Sequence, residues 1–294
     1  MGGPWLQFIA AGVTAGAIYA LVALGFSIVY NASHAINFAQ GEFVMIGGMS
    51  AVSLVATGLP LWLAVPLALL ATGVVGAAVH KLAIEPAQRS GRADVVTLII
   101  ITIGVSLFLR GAAQVAWDKR IHALPAFSGS DPIAIGGATI VPQSLWVLGG
   151  AALAVLALSW FFNRTLFGKA MRATAHNPLA ARLMGIHTRS VMFVSFALAA
   201  MLGALGGVLV APITFTSYDI GVMLGLKGFA AAMLGGLGSF GGAVVGGLLL
   251  GLLESLGAGF VSSAYKDAIA FVVILAVLFF LPGGLFGARG SDRV

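Results

Sequence analysis

The sequence predicts an all-α protein, a polytopic transmembrane helix bundle of eight to nine membrane segments that include broken or re-entrant helices. Composition is the first reason: 60% of residues are hydrophobic and 8% charged, with a mean hydropathy of +1.07, whereas soluble domains carry roughly 25% charged residues. The second is a series of apolar runs of spanning length, at 5–30, 61–81, 95–117, 143–162, 190–211 and 266–286, each close to the ~20 residues that a membrane helix needs. Third, basic residues gather between the runs, as orientation signals do. No connection is long enough to bury a core of its own, so residues 1–294 read as a single transmembrane domain.

In chain order, the amino terminus MGGPWLQF has no basic stretch before its apolar run, so 5–30 reads as a first span and not a cleaved leader. The connection that follows, NASHAINFAQGE at 31–42, is polar yet barely charged. Asn37 and Gln40 bring amide donors and acceptors, Gly41 gives access to the backbone, and Glu42 opens the next helix where its charge suits the dipole. Two readings stand: a capped, water-facing turn, or a broken helix whose Asn37, Gln40, Gly41 and Glu42 line a path for a polar solute.

Two apolar regions, 41–57 and 226–260, are punctuated with glycine, and the second must cross twice if the tail is to lie inside. Loop 82–94 is basic, with Lys81, Arg89 and Arg92 against Glu85 and Asp94, while Asp118, Lys119, Arg120 and Asp131 cancel in 118–142. The positive-inside rule then puts 82–94 inside, 118–142 outside, the amino terminus outside, and the tail with Arg289, Arg293 and Asp292 inside. Small-residue pairs at Gly12/Gly16, Gly203/Gly207, Gly242/Gly246 and Gly247/Gly251 have the spacing that lets membrane helices approach closely. Arg110 and Glu254 lie within apolar runs, where a charge is costly, and are candidates for function or for structural pairing.

The longest charged interruption is 163–190, with Arg164, Lys169, Arg172, Arg182 and Arg189 and no acid. It faces the cytoplasm by the same rule. Within it Asn177 caps a short helix that begins at Pro178, whose missing amide costs nothing there, and Gly185 ends it in a left-handed turn. The predicted helix, 178–184, sets Leu179, Leu183, Ala180 and Met184 on a stripe opposite Arg182.

Several function classes drop out. Gly236, Gly238 and Gly241 match the dinucleotide fingerprint, but no strand precedes them and no acid follows at the right distance, so a helix break within the membrane is the better reading. No phosphate loop, HExxH or GxSxG is present, the five histidines lack ligand spacing and there is no cysteine. No catalytic residue, metal or cofactor is expected. The charge of +6 is spread over loops without interleaved aromatics, which argues against nucleic acid.

Three stretches together resemble one family, the inner-membrane permeases of ABC importers for branched-chain and other hydrophobic amino acids: 12–49 with INFAQGE at 36–42, the basic segment, and 228–254 followed by YKD at 265–267. In the basic segment Gly168, Arg172, Ala173, Ala175, Ala181, Gly185 and Ile186 stand in family positions, and Gly241 and Leu179 depart from the pattern, standing where proline and a charged residue are usual. The resemblance implies that this segment docks on an ATPase subunit, through Gly168, Lys169, Arg172, Ala173, Asn177, Pro178, Ala181, Gly185 and Ile186. It further implies two ATPase subunits, a second homologous permease, a periplasmic or lipid-anchored binding protein and contact with membrane lipid. Related permeases carry urea, short amides or aromatic acids, which leaves the cargo open. An ion-coupled secondary transporter is the rival class, weakened by the scarcity of buried carboxylates.

Overall fold

The computed structural model describes residues 3–90, 94–129, 131–135, 138–260 and 262–287. Arg92, Arg289, Asp292 and Arg293, used above to orient the chain, lie outside them. Among the described residues the six apolar runs and the two glycine-punctuated regions, the second of them divided, become nine helices: α1 (Gly3–Ser33), α2 (Gln40–Ala56), α3 (Leu61–Val79), α5 (Val95–Trp117), α6 (Pro142–Arg164), α9 (Thr188–Thr214), α10 (Ile220–Gly235), α11 (Phe240–Phe260) and α12 (Lys266–Phe280). A short α4 (Glu85–Arg89) follows a π turn at His80–Ile84, and α7 (Leu166–His176) and α8 (Pro178–Leu183) form the basic segment. Among the described residues six helices are long and apolar enough to cross a membrane, while α2, α10 and α12, at 17, 16 and 15 residues, fall short of that length.

Lipid tails are as apolar as leucine, so the bundle is held by close packing of small residues. Each glycine pair finds a partner surface. Gly12 and Gly16 of α1 lie on Gly251 and Leu248 of α11, running antiparallel; a Cβ on Gly251 would come within 2.3 Å of the Gly16 amide nitrogen. Gly207 of α9 lies on the backbone of α2, where a Cβ would stand 1.9 Å from the Val44 carbonyl oxygen. Gly242 and Gly246 pack on Gly235 of α10. Helices α1 and α9 are the most enclosed, with Ala17 to Leu24 and Leu202 to Ala211 contributing much of the core.

The basic loops share one end of the bundle. Arg89 and Glu85 line one pocket with Arg182 and residues 185–190, and Asn31 at the foot of α1 donates to the Gly238 carbonyl at 2.8 Å. The 236–239 stretch is therefore a turn joining antiparallel α10 and α11 at this end, and not a break deep within the bundle. It is covered by protein: the Leu285 and Phe286 amides donate to the carbonyls of Leu234 and Gly235. At the opposite end His122 and Thr216 exchange backbone hydrogen bonds. A small β-hairpin also forms there, β1 (Ile133–Ile135) with β2 (Ala138–Ile140), which the sequence reading treats as plain connection. It is tied to α1 by Gln7, whose side chain donates to the Thr139 carbonyl and accepts from the Thr139 amide.

Two connections turn back into the bundle. After Ser33 the chain takes a positive φ at His34 and returns until Gln40 stands beside Gly25, eight residues before the end of α1. At about 1.5 Å per residue, α2 starts roughly 12 Å inside the end of α1. A positive φ at Phe215 likewise turns the chain after α9, and Gly221 in the first turn of α10 meets Gly41, whose Cβ would lie 2.2 Å from the Gly221 carbonyl oxygen. The first turns of two short helices thus cross in the interior.

Candidate functional site

The interior crossing gathers the polar residues of the 31–42 stretch and then divides them by role. Asn37, Gln40 and Glu42 are all buried. The Asn37 Oδ1 accepts from the Ala39 amide at 3.1 Å, the Phe38 amide donates to Thr102 Oγ1, and Gln40 Nε2 donates to the Ala199 carbonyl at 2.8 Å. Asn37 and Gln40 therefore brace the returning chain. Gly41 and Glu42 instead line a cleft of about 170 Å3 between α2, α5 and α10, together with Ser106, Arg110, Gly221, Gly225, Phe26, Phe38 and Phe229. Arg110, flagged in the sequence, pairs with Glu42 at 3.2 Å, and Ser106 donates to the same carboxylate oxygen, Oε1, at 2.8 Å. Glu42 Oε2 and Arg110 Nε are buried without a partner among the described residues, and each such orphan costs on the order of 1–3 kcal/mol.

Glu254 has a different environment. Its Oε1 accepts from Lys227 and Lys266, both at 2.9 Å, and its Oε2 from the Tyr19 hydroxyl at 2.8 Å. Lys227 also reaches Asp267 at 2.6 Å. This network joins α1, α10, α11 and α12 and leaves no side-chain atom of its members among the buried orphans. The sequence reading names Glu254 but not Lys227; a lone lysine in the apolar run 220–235 is the signal that finds it.

At the basic end, Thr165 caps α7 by accepting from the Gly168 amide at 2.9 Å. Gly168 lies so close to the end of α6 that a Cβ would stand 2.3 Å from the Phe161 carbonyl oxygen. Gly168, Met171 and Thr174 form the buried face of α7, while Lys169, Arg172 and Ala173 are exposed, with Arg172 donating to Asn163. The predicted short helix is present, one residue shorter at its end. Asn177 Oδ1 accepts from the Ala180 amide at 3.0 Å, Pro178 is the first helical residue, and Met184 is the C-cap. Gly185 has φ +84°, its amide donates to the Arg182 carbonyl, and the Ile186 amide donates to that of Ala181. That pair of bonds is a Schellman motif. Ala181 is buried beneath the helix and Ile186 packs on the core. Arg182 Nε donates to Thr188 Oγ1 at the start of α9.

The nine residues assigned to docking thus separate. Gly168, Asn177, Pro178, Ala181, Gly185 and Ile186 set the shape, and Lys169, Arg172 and Ala173 present side chains outward. Outside that set, the apolar side chains of Leu179, Leu183 and Met184 on α8 are exposed, at 69%, 82% and 83%. The apolar stripe is there, uncovered. No group of three potential metal ligands occurs among the described residues.

A helix bundle with charges paired in its interior, a cleft at a broken-helix crossing and a rigid capped knob at one end is a membrane transport subunit rather than an enzyme. Residues 8–278 match the family described as "Branched-chain amino acid transport system / permease component", and the chain belongs to that family. It is 34% identical to the high-affinity branched-chain amino acid transport system permease protein LivH of Salmonella typhimurium, over 99% of this chain and 98% of LivH. The corresponding BraD protein of Pseudomonas aeruginosa is 33% identical over the same shares, and a probable LivH of Methanocaldococcus jannaschii 29% over 91% and 88%. The chain is thus a multi-pass inner-membrane permease of an ABC importer, which works with separate ATPase and substrate-binding partners.

Proposed function

We propose that this permease carries branched-chain or other hydrophobic amino acids inward, as one of two homologous, non-identical permeases above two ATPase subunits and below a periplasmic or lipid-anchored binding protein. The basic end, residues 163–190 included, faces the cytoplasm and the amino terminus faces outward. The single observation that carries the reading is the likeness to LivH along nearly the full length of both chains. Two features agree with it. The interior cleft couples a charge pair to three aromatic rings, and the uncovered apolar knob of α8 sits among arginines that mark an inner end. Among the described residues the buried carboxylates Glu42, Glu85 and Glu254 are each paired with a basic side chain, which favours this reading over a self-powered, ion-coupled carrier.

The test is uptake by the complex reconstituted with its ATPases and binding protein in vesicles. ATP-dependent accumulation of leucine, isoleucine or valine is expected; uptake of urea or a short amide with no uptake of these three would refute the assignment. Orientation is read from single cysteines, since the chain has none. An impermeant maleimide added to intact cells should label the exposed position Ile121→Cys and spare the exposed position Met184→Cys; the opposite pattern would invert the topology.

A further inference from the structure

We propose that the Glu42–Arg110 cleft is a subsite at which the permease itself reads the α-ammonium and α-carboxylate of its passing substrate, a proposal that rests on the amino-acid cargo proposed above. The geometry supplies the complement of that solute. One acceptor, Glu42 Oε2, and one donor, Arg110 Nε, are buried and unpartnered at the same ion pair. The Gly221 backbone packs against that acceptor: a Cβ on Gly221 would stand 3.0 Å from Glu42 Oε2, so a side chain there would press on the carboxylate. Phe26 and Phe38 each pack at a tilt against Phe229, at 5.7 and 5.6 Å between ring centroids, and all three line the cleft. The cleft's volume of about 170 Å3 is well above the ~10–15 Å3 that a single water needs, which leaves room for a small solute.

A substrate ammonium would meet the carboxylate at Oε2, its carboxylate the guanidinium at Nε, and its apolar side chain the aromatic wall. Both charges of the solute are then balanced in a region where an unbalanced charge is excluded. Arg110 is suited to this because its planar fork can hold Glu42 through one nitrogen while another stays free. The closed network around Glu254 is the internal comparison. Among the described residues that network leaves none of its buried side-chain donors and acceptors unpartnered, whereas the cleft pair keeps one of each unused, as do the neighbouring Asn37 at Nδ2 and Gln40 at Oε1.

The experiment uses the whole reconstituted complex supplied with leucine-loaded binding protein. Glu42→Gln, Arg110→Gln and the double variant are each expected to lower the maximal rate of leucine uptake at least tenfold. The KM for loaded binding protein, which docks outside the cleft, should stay unchanged, as should the melting temperature of the double variant. A double variant that transports leucine at the wild-type rate overturns the proposal, because removing both charges then does no harm and the pair is structural. Arg110→Lys decides the matter if the glutamine variants do not assemble: it keeps the charge but loses the fork, so a tenfold loss supports the subsite and a wild-type rate overturns it. The two readings fail separately. Leucine uptake by wild type with an undiminished double variant refutes only the subsite; no leucine uptake by wild type refutes the cargo.

Discussion

Replacing Gly185 by valine tests whether the α8 knob transmits the energy of ATP hydrolysis. Nothing lies within 4 Å of a Cβ built at Gly185, so the substitution creates no collision, and its whole cost is conformational. At φ +84° a β-branched residue is strained by about 1–3 kcal/mol. Since 1.4 kcal/mol is a factor of ten in an equilibrium constant, the closed Schellman turn becomes roughly five- to 150-fold less favoured. The helix it closes has only six residues, with one cap at each end, a buried Ala181 and the Arg182–Thr188 bond to hold it. Loss of one cap is then a large share of its local stability, while the bundle, which Gly185 does not touch, still assembles. Substrate-stimulated ATPase activity and uptake are measured in the same vesicles. Gly185→Val should lower uptake several-fold and break its proportion to ATP hydrolysis, with the melting temperature of the membrane bundle unchanged. Gly185→Asn, which tolerates the left-handed region, should stay near wild type. If Gly185→Val leaves both activities at wild-type levels, α8 is not the coupling element and the basic segment only orients the chain.

The helix contacts make two further expectations. Gly207→Ala forces α2 and α9 apart, because its Cβ would stand 1.9 Å from a backbone oxygen, and should destabilise by about 1–3 kcal/mol or more; Gly241→Ala has open space and should be neutral or stabilise by up to about 1 kcal/mol. Thermal melts in detergent that rank the two the other way would contradict the packing. Lys227→Met removes the cation that bridges Glu254 and Asp267 and should destabilise by about 3–5 kcal/mol, the cost of breaking a buried pair. The double variant with Asp267→Asn should recover part of the loss; no loss in the single variant would mean that Lys266 alone suffices for Glu254.

What the sequence made legible was what local chemistry decides. The cap at Asn177, proline at the first helical position and the left-handed Gly185 involve residues at most eight apart, so their pattern is readable along the chain. Glycine spacing shows which helix faces are small, but not that Gly12 and Gly16 meet Gly251 and Leu248, because that choice depends on fold topology. The same limit hid the charge partners. Glu42 and Arg110 are 68 residues apart, and Tyr19 and Glu254 235 apart. Asn37 and Gln40 were grouped with Glu42 for their polarity, and only the returning chain shows that they brace it while Glu42 lines the cleft.

The two ends of the proposed mechanism are joined by one element. Thr188, the first residue of α9, accepts from Arg182 of the knob. Eleven residues on, roughly 16 Å along the axis, the Ala199 carbonyl accepts from Gln40 at the start of α2. One turn further Gly203 lies against Phe43 and Gln40 of α2, and a turn beyond that Gly207 lies on the α2 backbone at Val44. A displacement of α8 enters α9 at its first residue, and α9 cannot slide along α2 without opening the contact at Gly207 and straining the Gln40 bond. The next residues of α2 are Gly41 and Glu42. A shift of α2 relative to α5 would change the 3.2 Å separation between Glu42 and Arg110, and a shift relative to α10 would change the packing of Gly221 on Glu42 Oε2. Because these backbones are already in contact, any motion along this route would occur by relocation of whole helices rather than by local adjustment of side chains. If α8 is the coupling element, glycine at Gly203 and Gly207, in place of a larger apolar residue, is what keeps α9 against α2 closely enough for a push on α8 to reach the charge pair.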